Sequence, residues 1–299
     1  MRSETCHISL CVFVVLTLLT GSITYADDIY VSCYTSGTIK KFDSSGNGFT
    51  YASGLNYPTG LAFDSRGNLY AAEGASGTIA KIDSSGNKYT FASGLSRPAG
   101  LAFDSSGNLY AANYFGHTVE KFSPTGTDLG VFANLGLSYP VGLAFDDSDN
   151  LYVANSGSNT IMRFNSSGIG TLFASSGLSN PFGLAFDSSS NLYAANYSNN
   201  TIAKFDSSGI GTLFASSGLS NPFGLAFDSS SNLYAANYSN KTIEKFDSIG
   251  IGTLFASGLD HPIFIAVQVP EPCTLMLLGL GAAIARLGES KARRVRKRR

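Results

Sequence analysis

Once every 40 to 42 residues this chain closes a short apolar run on a side chain able to make directed bonds. The series is Cys33, Glu73, Asn113, Asn155, Asn196 and Asn237, and tyrosine follows directly at Tyr34, Tyr114, Tyr197 and Tyr238. An amide carries donors and an acceptor together, and a tyrosine ring adds a flat apolar face with a polar tip. Gathered on one surface, Asn113, Asn155, Asn196 and Asn237 beside Tyr114, Tyr197 and Tyr238 would suit the hydroxyls and C–H faces of a sugar. The competing role is architectural, with asparagine closing strands by bonding local turn backbone and tyrosine packing between layers.

The rest of the chain offers little catalytic equipment. Between residues 27 and 270 the only histidines are His117 and His261, both at turn positions. The sequence has no GxGxxG, no phosphate-binding loop and no Cys/His cluster of metal spacing. No catalytic residue is assigned and no cofactor is expected, with Ca²⁺ the one ion the oxygen donors would suit. The most acidic turn, residues 146–150, lacks the Gly and bidentate Glu of a helix–loop–helix calcium site.

Such a series needs elements that return to the same place six times. Proline recurs at positions 58, 98, 140, 181, 222 and 262. Behind it come an apolar run such as GLAFD, a turn such as DSSGN, a second run such as LYAAN, a two-residue hairpin, TIAKFD, another DSSG turn and GTLFA. These are four strands per period, each too short for a helix and bounded by turn formers. Four-stranded units at this period are blades that bury their faces only by stacking. One blade is copied almost unchanged, because residues 180–199 and 221–240 are identical. Second-strand segments number six, beginning with IYVSC at 29–33, whereas full first-strand segments number five. PIFIAV at 262–267 supplies the sixth, with Ile265 in register with Leu61 and Val267 with Phe63. The expected fold is therefore all-β, a six-bladed β-propeller whose first blade is closed by the C-terminal strand. The blades fall near 29–57, 58–97, 98–139, 140–180, 181–221 and 222–261. Thr59, Ala99, Val141, Phe182, Phe223 and Ile263, each following a proline, begin inner strands at the same end as the asparagine series.

Composition agrees. Of 299 residues 43% are hydrophobic and 14% charged, and the net charge of −1 hides a basic end. Residues 286–299 hold eight basic side chains, while 27–270 carry eleven against eighteen acidic ones, a net of −7. An acidic body excludes nucleic acid as a partner. Cys33 is the one cysteine of that body, so it contains no disulfide framework.

Residues 1–26 read as a cleavable signal peptide: Arg2, the apolar stretch 8–19 and small residues before Asp27. Val269, Pro270, Glu271 and Pro272 precede an apolar run at 273–285 and a Lys/Arg cluster. This tail, 269–299, resembles the PEP-CTERM sorting signal of Gram-negative bacteria, in which an exosortase recognises and removes the tail after transient inner-membrane insertion. Cys273 stands where that signal usually has a small polar residue. The resemblance implies an exported protein, tethered as a precursor and then resident in the cell envelope or extracellular matrix.

The repeat P-x-G-L-A-F-D-x-x-x-N-L-Y-x-A-N-x-x-x-N-x-I-x-K-F-D-x-x-G resembles the NHL repeat. Members of that family range from carbohydrate and RNA binders to lyases, lactonases and scaffolds. The likeness implies the propeller fold but no single function; with no catalytic set and with the Asn and Tyr face above, the expectation is a monomeric binding or scaffold module for a polysaccharide or an envelope protein. Its alternative is a metal-dependent enzyme resembling gluconolactonase propellers, with Glu73, Asn155 and Asn196 as the implied oxygen ligands.

Overall fold

The computed structural model describes residues 27–268. The leader and the tail, including the motif 269–272 and the apolar run 273–285, lie outside the described residues. Within them the chain forms six antiparallel four-stranded sheets, five of them in sequence order from inner to outer strand and the first with the C-terminal strand innermost. The duplicated fifth blade is typical: Pro181–Phe186, Leu192–Asn196, Thr201–Phe205 and Gly211–Ala215. In the first blade Pro262–Gln268 pairs with Asp28–Cys33, matching Val31 to Ile265 and Ile29 to Val267. The sixth inner strand thus comes from the far end of the chain, which joins the ring's two ends without leaving an open inner edge.

The turns explain why the strands stop where they do. At the base of the ring, Asp64 Oδ1 accepts the N–H groups of Arg66 and Asn68, and Gly67 closes the turn at φ +76°. The same position is left-handed at Asp149, Ser190 and Ser231, residues that tolerate αL less readily than Gly. At the opposite end, the expected two-residue hairpins are four residues long. Glu73 pairs with Thr78, leaving residues 74–77 as the loop, with Gly77 at φ +68°. One bond, Gly77 N–H to Glu73 O, closes it.

Blades stack through aromatics. The second-strand tyrosine of one blade meets the edge of a ring on its own outer strand and another on the next blade's inner strand. Tyr70 does so with Phe91 and Phe103, and Tyr193 with Phe214 and Phe227, at centroid distances of 4.9 and 5.0 Å. Such pairs add about 0.5–1.5 kcal/mol each beyond burial. At the closing seam Tyr234 keeps Phe255 but meets Val267 where other blades present phenylalanine.

Candidate functional site

The end of the ring that carries the proline-bearing links between blades, here the mouth, is built by a two-point clamp. Each link reaches its proline through a residue with positive φ: Tyr57, Arg97, Tyr139, Asn180, Asn221 and His261, all between +48° and +55°. Residues before proline favour extended backbone, and bulky side chains resist φ above zero, so each link needs holding. Its carbonyl accepts a backbone N–H from the residue after the second strand, as in Tyr197 N–H to Asn180 O at 3.2 Å. The strand-ending asparagine grips the residue before it: Asn155, Asn196 and Asn237 Oδ1 accept the N–H groups of Ser138, Ser179 and Ser220 at 3.0–3.1 Å. Their Nδ2 groups donate to the carbonyls of Gly136, Gly177 and Gly218 and to Thr160, Thr201 and Thr242. Asn113 makes the matching bonds to Ser96 N–H and Thr118.

This corrects the expectation that the asparagines face a ligand. Asn113, Asn155, Asn196 and Asn237 are all buried, with their amides committed to the links. Glu73 holds the same place in the second blade. Its carboxylate accepts from Asn56 N–H, Thr78 and Lys88, the last at 2.9 Å. Glu73, Asn155 and Asn196 therefore sit in three separate clamps and do not converge as a metal set. Among the described residues no group of three His, Cys, Asp or Glu side chains is arranged to hold a metal ion. The acidic turn at 146–150 is likewise engaged, Asp146 bonding Ser148 and Asn150. Cys33 occupies the clamp position of the first blade, fully buried, and burial pushes its thiol pKa up.

The tyrosines do reach the mouth. Tyr34, Tyr114, Tyr197 and Tyr238 are half-buried and line a central pocket of about 260 Å³. All six post-proline residues line it too: Thr59, Ala99, Val141, Phe182, Phe223 and Ile263. The lining is lopsided. On the side of blades five, six and one, the Phe182 ring centroid lies 4.7 Å from that of Tyr197 and 4.2 Å from that of Phe223, which continues to Phe264 at 5.8 Å. On the side of blades two to four the inner-strand residues are small. The two copied blades thus share one aromatic wall and do not offer two separate subsites.

Two lining residues went unnoticed in the sequence. Five inner strands carry glycine two residues after proline, where a Cβ would strike the neighbouring strand; at Gly142 it would lie 2.0 Å from Phe182 O. In the closing strand that position is Phe264, held by Ser32 Oγ, which accepts Phe264 N–H at 3.0 Å, and its ring lines the pocket. Aligning 262–267 residue by residue on P-x-G would have exposed it. The other is Arg97, whose guanidinium carbon stands 5.4 Å from the Tyr114 ring and 5.1 Å from Phe115. Burial, and then the neighbouring Tyr197, Tyr34 and Asp260, raise the Tyr238 pKa.

What the geometry defines is a six-bladed propeller with one aromatic pocket at the mouth. Residues 137–164 match the family model of the NHL repeat. No curated protein sequence matches this chain. Among solved structures it is similar to the propeller of a nidogen/laminin complex, at 19% identity and TM-score 0.73, covering 81% of this chain and 98% of that one. It is similar also to virginiamycin B lyase from Staphylococcus aureus, at 18% identity and TM-score 0.63, with 80% and 84% covered. A gluconolactonase from Xanthomonas campestris gives 21% identity and TM-score 0.61, with 69% and 78% covered. These likenesses establish the fold.

Proposed function

We propose that this chain is a non-enzymatic binding propeller that takes one ring of a cell-envelope or extracellular polysaccharide against the aromatic wall of its mouth. The observation that carries this reading is the convergence of Phe182, Phe223, Tyr197 and Tyr238 on a single pocket with Tyr34 and Tyr114 around it. Flat rings take the C–H face of a sugar, and the phenol groups are left to meet its hydroxyls. A pocket of about 260 Å³ is smaller than the roughly 300–1,000 Å³ of drug-sized ligand sites, which suits one ring of a longer chain. With the asparagines committed elsewhere, specificity rests on the tyrosines and on groups at the rim.

The test is a pull-down on envelope polysaccharides with the parent and a Tyr197→Ala/Tyr238→Ala variant. The parent should be retained and the variant lost. A parent that captures none, or a variant that captures as much, overturns the sugar reading and turns the search to a protein ligand, for which the propeller of the nidogen/laminin complex is a precedent in fold.

The same reading includes export and exosortase sorting, motivated by the leader and by residues 269–299. Mass spectrometry of the native protein should find neither residues 1–26 nor the terminal basic cluster. An intact tail would favour a plain membrane anchor. The alternative, a metal-dependent lactonase or lyase, draws support from two of the structural neighbours. Its implied ligands Glu73, Asn155 and Asn196 would first have to leave their clamps. A rise in melting temperature on adding Ca²⁺ would favour it.

A further inference from the structure

We infer that the mouth selects a ring bearing a carboxylate, a uronate residue of an acidic polysaccharide, and that Arg97 reads the charge. The inference rests on the binding reading above. Arg97 is the charged residue among those lining the pocket. Its backbone is fixed on both sides: φ is +55° ahead of Pro98, and its carbonyl accepts Tyr114 N–H at 3.2 Å. Its side chain lies over Tyr114 and Phe115. An arginine laid on aromatic rings keeps its edge N–H donors free and loses little further freedom on binding.

Among the described residues no carboxylate pairs with Arg97 and no acceptor takes a hydrogen bond from its guanidinium; Lys40, Arg66, Lys81, Arg163 and Lys241 also lack a carboxylate partner, but none of them lines the pocket. The other five links place Tyr57, Tyr139, Asn180, Asn221 and His261 at this position, and His261 Nδ1 already lies 3.1 Å from both Thr35 and Asp260. The pocket lining therefore carries one unspent cation, at one point of its rim, while the exposed Lys241 on the hairpin of the sixth blade does not line it. By blade order Arg97 stands across the ring from the aromatic wall of blades five, six and one. A ring stacked on that wall would direct a substituent toward Arg97.

The acidic body works against any polyanion at long range, so preference for a carboxylate has to arise from a short-range pair. A planar guanidinium bonds a carboxylate at two points at once. Neutral sugars leave that fork empty.

The experiment is calorimetric titration with galacturonate, glucuronate and mannuronate trisaccharides and with the methyl ester of each. Esterification removes the charge and keeps the ring. At least one acid should bind the parent about tenfold tighter than its own ester, the scale of a charge-assisted hydrogen bond. Arg97→Gln should bring acid and ester level, and Arg97→Lys should restore part of the difference. Equal binding of acid and ester by the parent, or a preference that survives in Arg97→Gln, overturns the inference. If the ester is nonetheless lost in Tyr197→Ala/Tyr238→Ala, the binding reading stands without it. Failure of every probe overturns the inference outright, while the pull-down judges the broader reading.

Discussion

The two ends of the ring follow opposite rules. At the base, blades two to six each repeat an aspartate turn, an asparagine four residues on, a tyrosine two further and a basic residue on the third strand. Asn108 Nδ2 donates to Asp104 at 2.8 Å, Tyr110 hydroxyl donates to it at 3.1 Å, and Lys121 stands 3.6 Å away. The fifth and sixth blades reproduce this at Asp187 and Asp228. At the mouth, six equivalent positions hold Thr59, Ala99, Val141, Phe182, Phe223 and Ile263. Stacking blades on one another demands the same solution each time, so the base stays uniform. The mouth, once clamped, is free to differ, and the differences gather into one lopsided pocket. Uniformity marks what the fold needs, and variety marks what a ligand would read.

Titrating the base should give the largest effect, because one change of pH acts on every copy. Burial, then the Asp64 charge and hydrogen bond, push Tyr70 from 10.0 up to about 12, and Tyr110 and Tyr234 are raised for the same reasons. Their folded pKa values exceed the unfolded ones, so this stability is complete below about pH 10 and is lost as pH rises through 12. Burial alone would raise Asp64, Asp104 and Asp187. Bonds from the paired asparagine side chain and backbone outweigh it and leave them below the ordinary 3.8. That contribution is present above about pH 4 and is lost as pH falls through the lowered values. Melts across pH should show a plateau between these limbs. A steep loss inside the plateau would place the sensitive groups elsewhere.

Phe264→Ala comes next, at about 3–5 kcal/mol by chemical denaturation, the cost of emptying a buried phenylalanine site. It is the mouth residue expected to behave like base, and an unchanged midpoint would show that it only lines the pocket. Asn237→Ala should cost about 2–3 kcal/mol, because Ser220 N–H and Gly218 O lose a buried partner together. A loss of ligand binding with no loss of stability would return the asparagines to the binding face. Tyr110→Phe should cost about 1 kcal/mol for its hydroxyl bond, and Tyr193→Phe the same within error; unequal values would break the claim of a uniform base. Arg97→Gln, exposed and unpaired, should stay within about 0.5 kcal/mol of the parent.

The fold was legible because the period, the turn residues and the count of second strands against first strands all required the same ring. Closure by 262–267 followed from the register of Ile265 and Val267. The site was legible only in part. Tyr114, Tyr197 and Tyr238 were placed at the mouth from their position along the strand, and they reach it. Asn113, Asn155, Asn196 and Asn237 share that position, yet their side chains turn back toward a link some 17 residues earlier. Strand alternation does not determine that choice; it depends on which backbone groups the link leaves unpaired. A hint was present in threonine, which stands five residues after every member of the series from Thr38 to Thr242 and pairs with it across the hairpin. Arg97 gave no signal of its own, because a lone basic residue before proline reads as solvated surface.

The pairing of Asp28 with Gln268 fixes more than ring closure. Both residues lie at the base, so the polypeptide enters and leaves the propeller side by side, on the side away from the pocket. Any support joined through either end, whether a lipid bilayer, a matrix or a chromatography bead, would hold the molecule like a cup by its foot, with its opening turned outward.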